Sequence, residues 1–210
     1  MYIPAANAVT DPDEIQALLR GLRLGCLVTA GPEGLYASHL PFFYDEARGV
    51  LAGHLARANP HRALAGDAAA LAIFQGVDAY VSPSWYPSKH EHQKVVPTWN
   101  YEAVQVHGQL AWIDDDAWLE AHLSALTDRF ESGRPDPWST TDAPADYLRR
   151  LRGAVAGLEL TGLRVEAKRK LSQNRDAPDR EGVIAGLSAS DSPGDRATAE
   201  AMRAVGGGQR

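Results

Sequence analysis

The chain has 210 residues, enough for one globular domain, and its 44% hydrophobic and 23% charged residues exclude wholesale disorder and a fibrous architecture. Its 21 basic and 27 acidic residues give a formal net charge of −6, which argues against a surface built globally to track nucleic acid or anionic membrane. The single cysteine, Cys26, cannot form an internal disulfide or a thiolate zinc site and reads as a small buried hydrophobe. No window approaches the ~18 to 20 apolar residues of a membrane span, and Met1-Tyr2-Ile3-Pro4 has neither a basic nor an apolar leader region, so a cytoplasmic protein with no membrane partner is expected.

Asp11-Pro12-Asp13-Glu14 reads as a helix start, with Asp11 as cap, Pro12 in the first turn and Glu14 completing a capping box. Ile15, Leu18, Leu19 and Leu22 then share one face. From Leu24 to about Val106, short β-branched, aromatic and aliphatic runs alternate with turn signals such as Gly31-Pro32-Glu33-Gly34. Strands are predicted near 24–30, 34–43, 49–55, 69–75, 78–82 and 101–113. So many closely spaced strands suggest an antiparallel sheet closed into a small barrel, which leaves few exposed edges.

Asp114-Asp115-Asp116 can cap a helix in which Trp118, Leu119, His122, Leu123, Leu126 and Phe130 recur at helical spacing. A proline-rich break at 135–144 precedes a short helix at about 145–153, and Leu158 to Val165 reads as another strand. A helical tail starts at about 179, with Gly206-Gly207-Gly208 as a frayed end. The organisation expected is one domain over 1–210, with a helical insertion at about 114–153 and a helical tail at about 179–210.

Five of the twelve Trp and Tyr residues lie between positions 80 and 101, in Tyr80-Val81-Ser82-Pro83-Ser84-Trp85-Tyr86-Pro87-Ser88-Lys89 and Val95-Val96-Pro97-Thr98-Trp99-Asn100-Tyr101. Prolines fix the backbone there while hydroxyls, an amide and a lysine supply donors, which suits either a grip on a planar ring with an anionic tail or a rigid aromatic plug. In Gly53-His54-Leu55-Ala56-Arg57-Ala58-Asn59-Pro60, Arg57 and Asn59 suit a phosphate, or else a solvated arginine and a helix cap. From Arg164 to Arg180 six basic residues face three acidic ones, which reads as a phosphate or nucleic-acid contact or as a solvated face. His90 and His92 flank Glu91 with no third ligand of fixed spacing, so no metal site is expected. The chain has no Gly-x-Ser-x-Gly, Gly-x-Gly-x-x-Gly or P-loop motif.

Together, Ser38-His39-Leu40-Pro41-Phe42, the run from Gly53 to Pro60, Tyr80 to Lys89, Val95 to Tyr101 and Lys170-Leu171-Ser172-Gln173-Asn174-Arg175 resemble the PaiB family, described as FMN-binding negative transcriptional regulators of the FMN-binding split-barrel superfamily. His61-Arg62 stands where that family is expected to carry Gln and Trp. The resemblance implies a mainly β (α+β) split β-barrel with peripheral α-helices, forming a homodimer with FMN at the subunit interface. It implies that His39, Leu40 and Pro41, with His54, Leu55 and Ala56, flank the flavin ring through backbone groups. Arg57, Asn59 and Lys89, with Ser82 and Ser84, would meet phosphate and ribityl. Trp85, Trp99 and Asn100 would wall the ring, and Lys170, Gln173 and Arg175 would close the cleft. No catalytic acid or base is assigned.

Three activities fit that resemblance. The first is an FMN-dependent oxidoreductase or flavin reductase, with NADH or NADPH as reductant and a small-molecule acceptor. The second is a flavin-responsive repressor acting on DNA or through a partner, although no helix-turn-helix is apparent. The third is a haem-binding barrel, for which His39, His54, His90, His92 and His107 offer axial ligands.

Overall fold

The computed structural model describes residues 1–65 and 68–206, so Gly207 and Gly208 of the expected frayed end lie outside the described residues. Helix α1 (Pro12–Gly21) starts where its capping signals place it, with the Glu14 amide donating to Asp11 Oδ1 at 2.9 Å. The strands that follow a two-residue β1 (Ala8–Val9) are β2 (Leu24–Gly31), β3 (Gly34–Asp45), β4 (Val50–Ala56), β5 (Ala69–Val81), β6 (Thr98–Ile113) and β7 (Val155–Lys170). They form one sheet in the order β1-β7-β4-β3-β2-β5-β6, and β6 also pairs with β7 to close the ring. This is the expected split barrel, with helices α2 (Pro60–Ala65), α3 (Ser88–His92), α4 (Asp116–Glu131), α5 (Ala145–Arg152), α6 (Ala177–Ser188) and α7 (Pro193–Ala204) around it. Among the described residues no helix is long and apolar enough to cross a membrane.

Two of the expected strands, 69–75 and 78–82, are one strand. Gly76 lies within β5, and a Cβ there would stand 2.9 Å from the Cβ of Glu102. The glycine makes room for a neighbouring side chain.

The chain packs as two compact units. The first comprises Met1–Ile15, Gln75–Gln105 and the chain from Glu166 onward, and the second comprises Gln16–Phe74 and Val106–Val165. Strands β5, β6 and β7 each give one part of their length to each unit. Unit 2 contains the β2–β3–β4 meander, whose Leu27, Leu40, Phe42 and Leu51 are almost completely buried together with Leu158 and Leu160 of the paired β7. The core of unit 1 is Val81, Tyr86, Leu171, Val183, Leu187 and Met202, where α6 and α7 cover the residues after β5 and β7.

Candidate functional site

In unit 1 the segment 82–89 is held in shape before any ligand is considered. Ser82 caps a 3₁₀ turn over Pro83–Trp85 by accepting from the Ser84 amide at 3.2 Å. Asp179, buried on α6, accepts from both the amide and the hydroxyl of Ser88, at 3.1 and 2.7 Å. Gly182 and Gly186, one turn apart on α6, form a notch for Trp85: Cβ atoms there would lie 2.0 Å from the Trp85 carbonyl oxygen and 2.4 Å from its indole. Trp85 is therefore committed to α6, which makes the aromatic-plug reading the better description of this residue. Ser84 is left exposed, and the Lys89 ammonium donates to its hydroxyl at 3.2 Å. Among the described residues Lys89 has no carboxylate partner, so its charge meets only a neutral oxygen.

The second part of unit 1 is the turn after β7. Ser172 adopts the left-handed conformation at φ 63°, uncommon for a serine, and its hydroxyl exchanges hydrogen bonds with the fully buried Asn100 at 3.0 and 3.1 Å. Asn100 also donates to the Met202 sulfur at 3.3 Å, so its amide is spent inside the core and its expected place on a ring wall is not available. Gln173 is likewise folded onto its own turn, accepting from the Leu171 amide and donating to the Arg169 carbonyl. Trp99 remains 53% exposed, edge-on to Tyr80 with ring centroids 6.1 Å apart.

Lys170 donates to Thr98 Oγ1 at 2.7 Å and to the Trp99 carbonyl. Buried Lys168 donates to the Tyr101 hydroxyl at 2.7 Å, and the Arg175 guanidinium lies 4.4 Å from the Tyr86 ring centroid. Burial, with Lys168 and Arg175 nearby, pushes the Lys170 ammonium below its ordinary pKa. These cations oppose one another's charge, and their side-chain partners are mostly neutral.

In unit 2 the expected ring-flanking residues sit at a gap in the sheet. The β3–β4 ladder runs from Asp45↔Val50 to Phe42↔Gly53 and ends there, because Pro41 has no N–H with which to continue it. Residues 39–41 keep their pairing with β2, and residues 54–56 keep theirs with β7. Beyond the gap, Asn59 caps α2, accepting from the His61 amide at 3.0 Å and donating to Ser38 Oγ at 3.1 Å. His61 is buried between Ser38 Oγ on Nδ1 (2.9 Å) and Thr29 Oγ1 on Nε2 (2.8 Å), and burial lowers its pKa. The Ser38 hydroxyl accepts from Asn59, so its own proton is free for Nδ1, which leaves Nε2–H to donate to Thr29. The departure at His61 therefore has a packing role, one that its place on a short helix does not announce.

Arg57 does not match the phosphate role. Its guanidinium donates to the carbonyls of Gly153 (3.1 Å) and Val155 (2.9 Å) and pairs with Asp114, whose carboxyl the Arg57 hydrogen bond holds below the usual range. Arg57→Ala is expected to cost about 1–2 kcal/mol, discounted for the pair's exposure, and to leave affinity for phosphate-bearing ligands unchanged. Urea unfolding and a ligand titration on the same variant check both halves.

Sequence reasoning missed a buried cluster under α4. His54 Nδ1 and His122 Nε2 are 3.1 Å apart, Trp118 stacks on His122 with centroids 4.8 Å apart, and the indole N–H donates to Glu159 at 2.8 Å. Arg48 closes the chain with a two-pronged contact to Glu159, at 2.6 and 2.9 Å. His122 shows as one residue of a helical stripe, and only its partner 68 positions away gives it a polar role. The other histidines include exposed His39, His90 and His92, and no group of three potential metal ligands occurs among the described residues.

The fold is that of the FMN-binding split-barrel class. Residues 1–162 match the family model described as "Putative FMN-binding domain", and the chain belongs to that PaiB-like family. It is 32% identical to Protease synthase and sporulation protein PAI 2 of Bacillus subtilis (strain 168) over 207 residues, covering 96% of each chain. It is 33% identical to an uncharacterized protein of Emericella nidulans over 226 residues, covering 89% of this chain and 90% of the relative. Among solved structures, the FAD and heme binding protein from Mycobacterium smegmatis superposes with a TM-score of 0.59 at 24% identity, covering 85% of this chain and 80% of that one, which establishes the shared fold.

Proposed function

We propose that this chain binds FMN and acts as a flavin-dependent oxidoreductase served by a diffusible reductant such as NADH or NADPH. The observation that carries the reading is the donor set of unit 1. Exposed Ser84 with half-buried Lys89, and Lys170, crowded by Lys168 and Arg175, are hydroxyl and cation groups that gain from a dianionic phosphate. Ser82 keeps a hydroxyl proton to donate, and Trp99 offers an exposed apolar face for a planar ring. In unit 2, the end of the β3–β4 ladder supports the separate expectation that backbone groups of 39–41 and 54–56 read a polar ring edge. Bound FMN would supply the hydride and electron chemistry, while the side chains bind and orient it. Arg169, Arg175 and Arg180 are engaged by groups of their own unit, which argues against a free basic face for DNA.

The test is an absorption titration with FMN and with riboflavin, which lacks the phosphate. Lys89→Ala with Lys170→Ala should weaken FMN by at least about tenfold, the worth of one charge-assisted hydrogen bond, and leave riboflavin nearly unchanged. Equal losses for both ligands, or none for either, remove these lysines from the phosphate, and a protein that takes up neither flavin overturns the reading. Stopped-flow mixing with excess NADH or NADPH tests the reductase part, which fails if the bound flavin stays oxidised. We also propose a homodimer, with sedimentation giving about twice the 22.7 kDa chain mass; a monomer at working concentration sinks it.

A further inference from the structure

Helix α4 uses two faces. Leu119, His122 and Leu126 are buried, and the neighbouring stripe of Glu120, Leu123, Ser124 and Thr127 lines a cavity of about 370 Å³ within unit 2. Leu148 and Leu151 of α5 form the facing wall together with Trp138. The volume falls within the roughly 300–1,000 Å³ of small-molecule sites. Helix α5 has no buried residue, and Leu151 and Trp138 are 48% and 44% exposed, so the cavity leaves apolar surface in contact with water.

Polar struts hold these walls apart. Arg152 grips Asp116 at 2.6 and 2.8 Å, Arg57 reaches the Gly153 carbonyl just past α5, and the Trp138 amide donates to Glu131 at 3.1 Å. A capping box between Ser139 and Asp142 fixes the loop that carries Thr140. The space is therefore preformed rather than waiting to collapse, a property that favours binding. Ser124, Thr127 and Thr140 bring hydroxyl-bearing side chains to its lining. Arg152 is answered by two carboxylates, Asp116 and Glu120, so the cleft keeps no uncompensated cation for an anion.

We propose that this cleft binds a neutral one- or two-ring aromatic molecule bearing a hydroxyl or similar polar edge. The ring covers Trp138 and the leucines, and its edge pairs with the α4 hydroxyls.

The probe is 1-naphthol, titrated calorimetrically into the full chain with and without saturating FMN. One-to-one binding, unaffected by FMN and at least about tenfold weaker for naphthalene-1-sulfonate, is expected. Leu123→Trp, which fills the cleft, should abolish it, and Thr127→Val, which keeps the shape, should weaken it several-fold. Thr127→Val carries the test if Leu123→Trp does not fold. No uptake, uptake displaced by FMN, or uptake indifferent to both variants overturns the proposal. So does a concentration-dependent mass that Leu151→Glu reduces, because a second copy of the chain then covers the cleft.

Discussion

Gly182→Ala is expected to cost about 2–3 kcal/mol of stability and to weaken FMN binding along with it. The new methyl would stand 2.0 Å from the Trp85 carbonyl oxygen, inside any permitted contact. A backbone atom cannot rotate away, so α6 or the 82–89 segment has to move. Overpacking costs about 1–3 kcal/mol and more against backbone, whereas alanine's helix advantage over glycine, about 1 kcal/mol, offsets only part. Movement of the segment carries Ser82, Ser84 and Lys89 with it, because Asp179 and the glycine notch fix them to the same helix. Gly186→Ala meets the Trp85 indole instead of backbone and should cost less, since a side chain can turn. Urea unfolding and FMN titration of both variants decide it: Gly182→Ala as stable as the parent would mean that α6 does not set the position of this segment.

The second large effect is acid sensitivity at the buried histidine pair. Burial, and then the charge of His54, push the His122 pKa from 6.5 down to about 4, against an opposing pull from Glu159. Burial lowers His54 as well. Both rings are neutral above pH 6.5, folded or unfolded, so the pair's contribution is complete there. Below that the unfolded chain takes up protons that the folded one refuses, and stability falls as the pH drops from 6.5 toward 4. At about 1.4 kcal/mol for each pH unit in that window, His122 alone accounts for about 3 kcal/mol. The other charged neighbours are Glu159 and Arg48; burial raises the Glu159 pKa, but hydrogen bonds from Arg48 and Trp118 outweigh it and leave the carboxyl below its ordinary range. His122→Gln keeps a polar partner for His54 and removes the titration. It should flatten the fall between pH 6.5 and 4.5 in urea unfolding, whereas an unchanged slope would assign the acid limb to other groups.

These effects mark where the sequence was legible. Capping chemistry placed α1 and α4 because Asp11 and Asp115 act within three residues of themselves, whereas the Asp176 cap of α6 was not read and the helical tail was set at about 179. The split barrel was legible from turn spacing and from the motifs together. The fates of Arg57 and Asn100 were not, because their partners, Asp114 with Gly153, and Ser172 with Met202, are distant in sequence. Donor-rich residues in a short motif read alike whether they face a ligand or a core. Ser84 is exposed and Lys89 half-buried with only a hydroxyl partner, whereas the core saturates the amide of Asn100.

The gap where β3 leaves β4 also bears on strand addition at the barrel's edge. A barrel hides its peptide groups by closing on itself, and an opening exposes a stretch to which a strand from another molecule could be added. Pro41 stands at that opening, lacking the donor that an incoming strand would need, with the two-residue β1 as the short edge elsewhere on the sheet. The residue that ends the ladder thus also withholds from an added strand one of the donors it would need there.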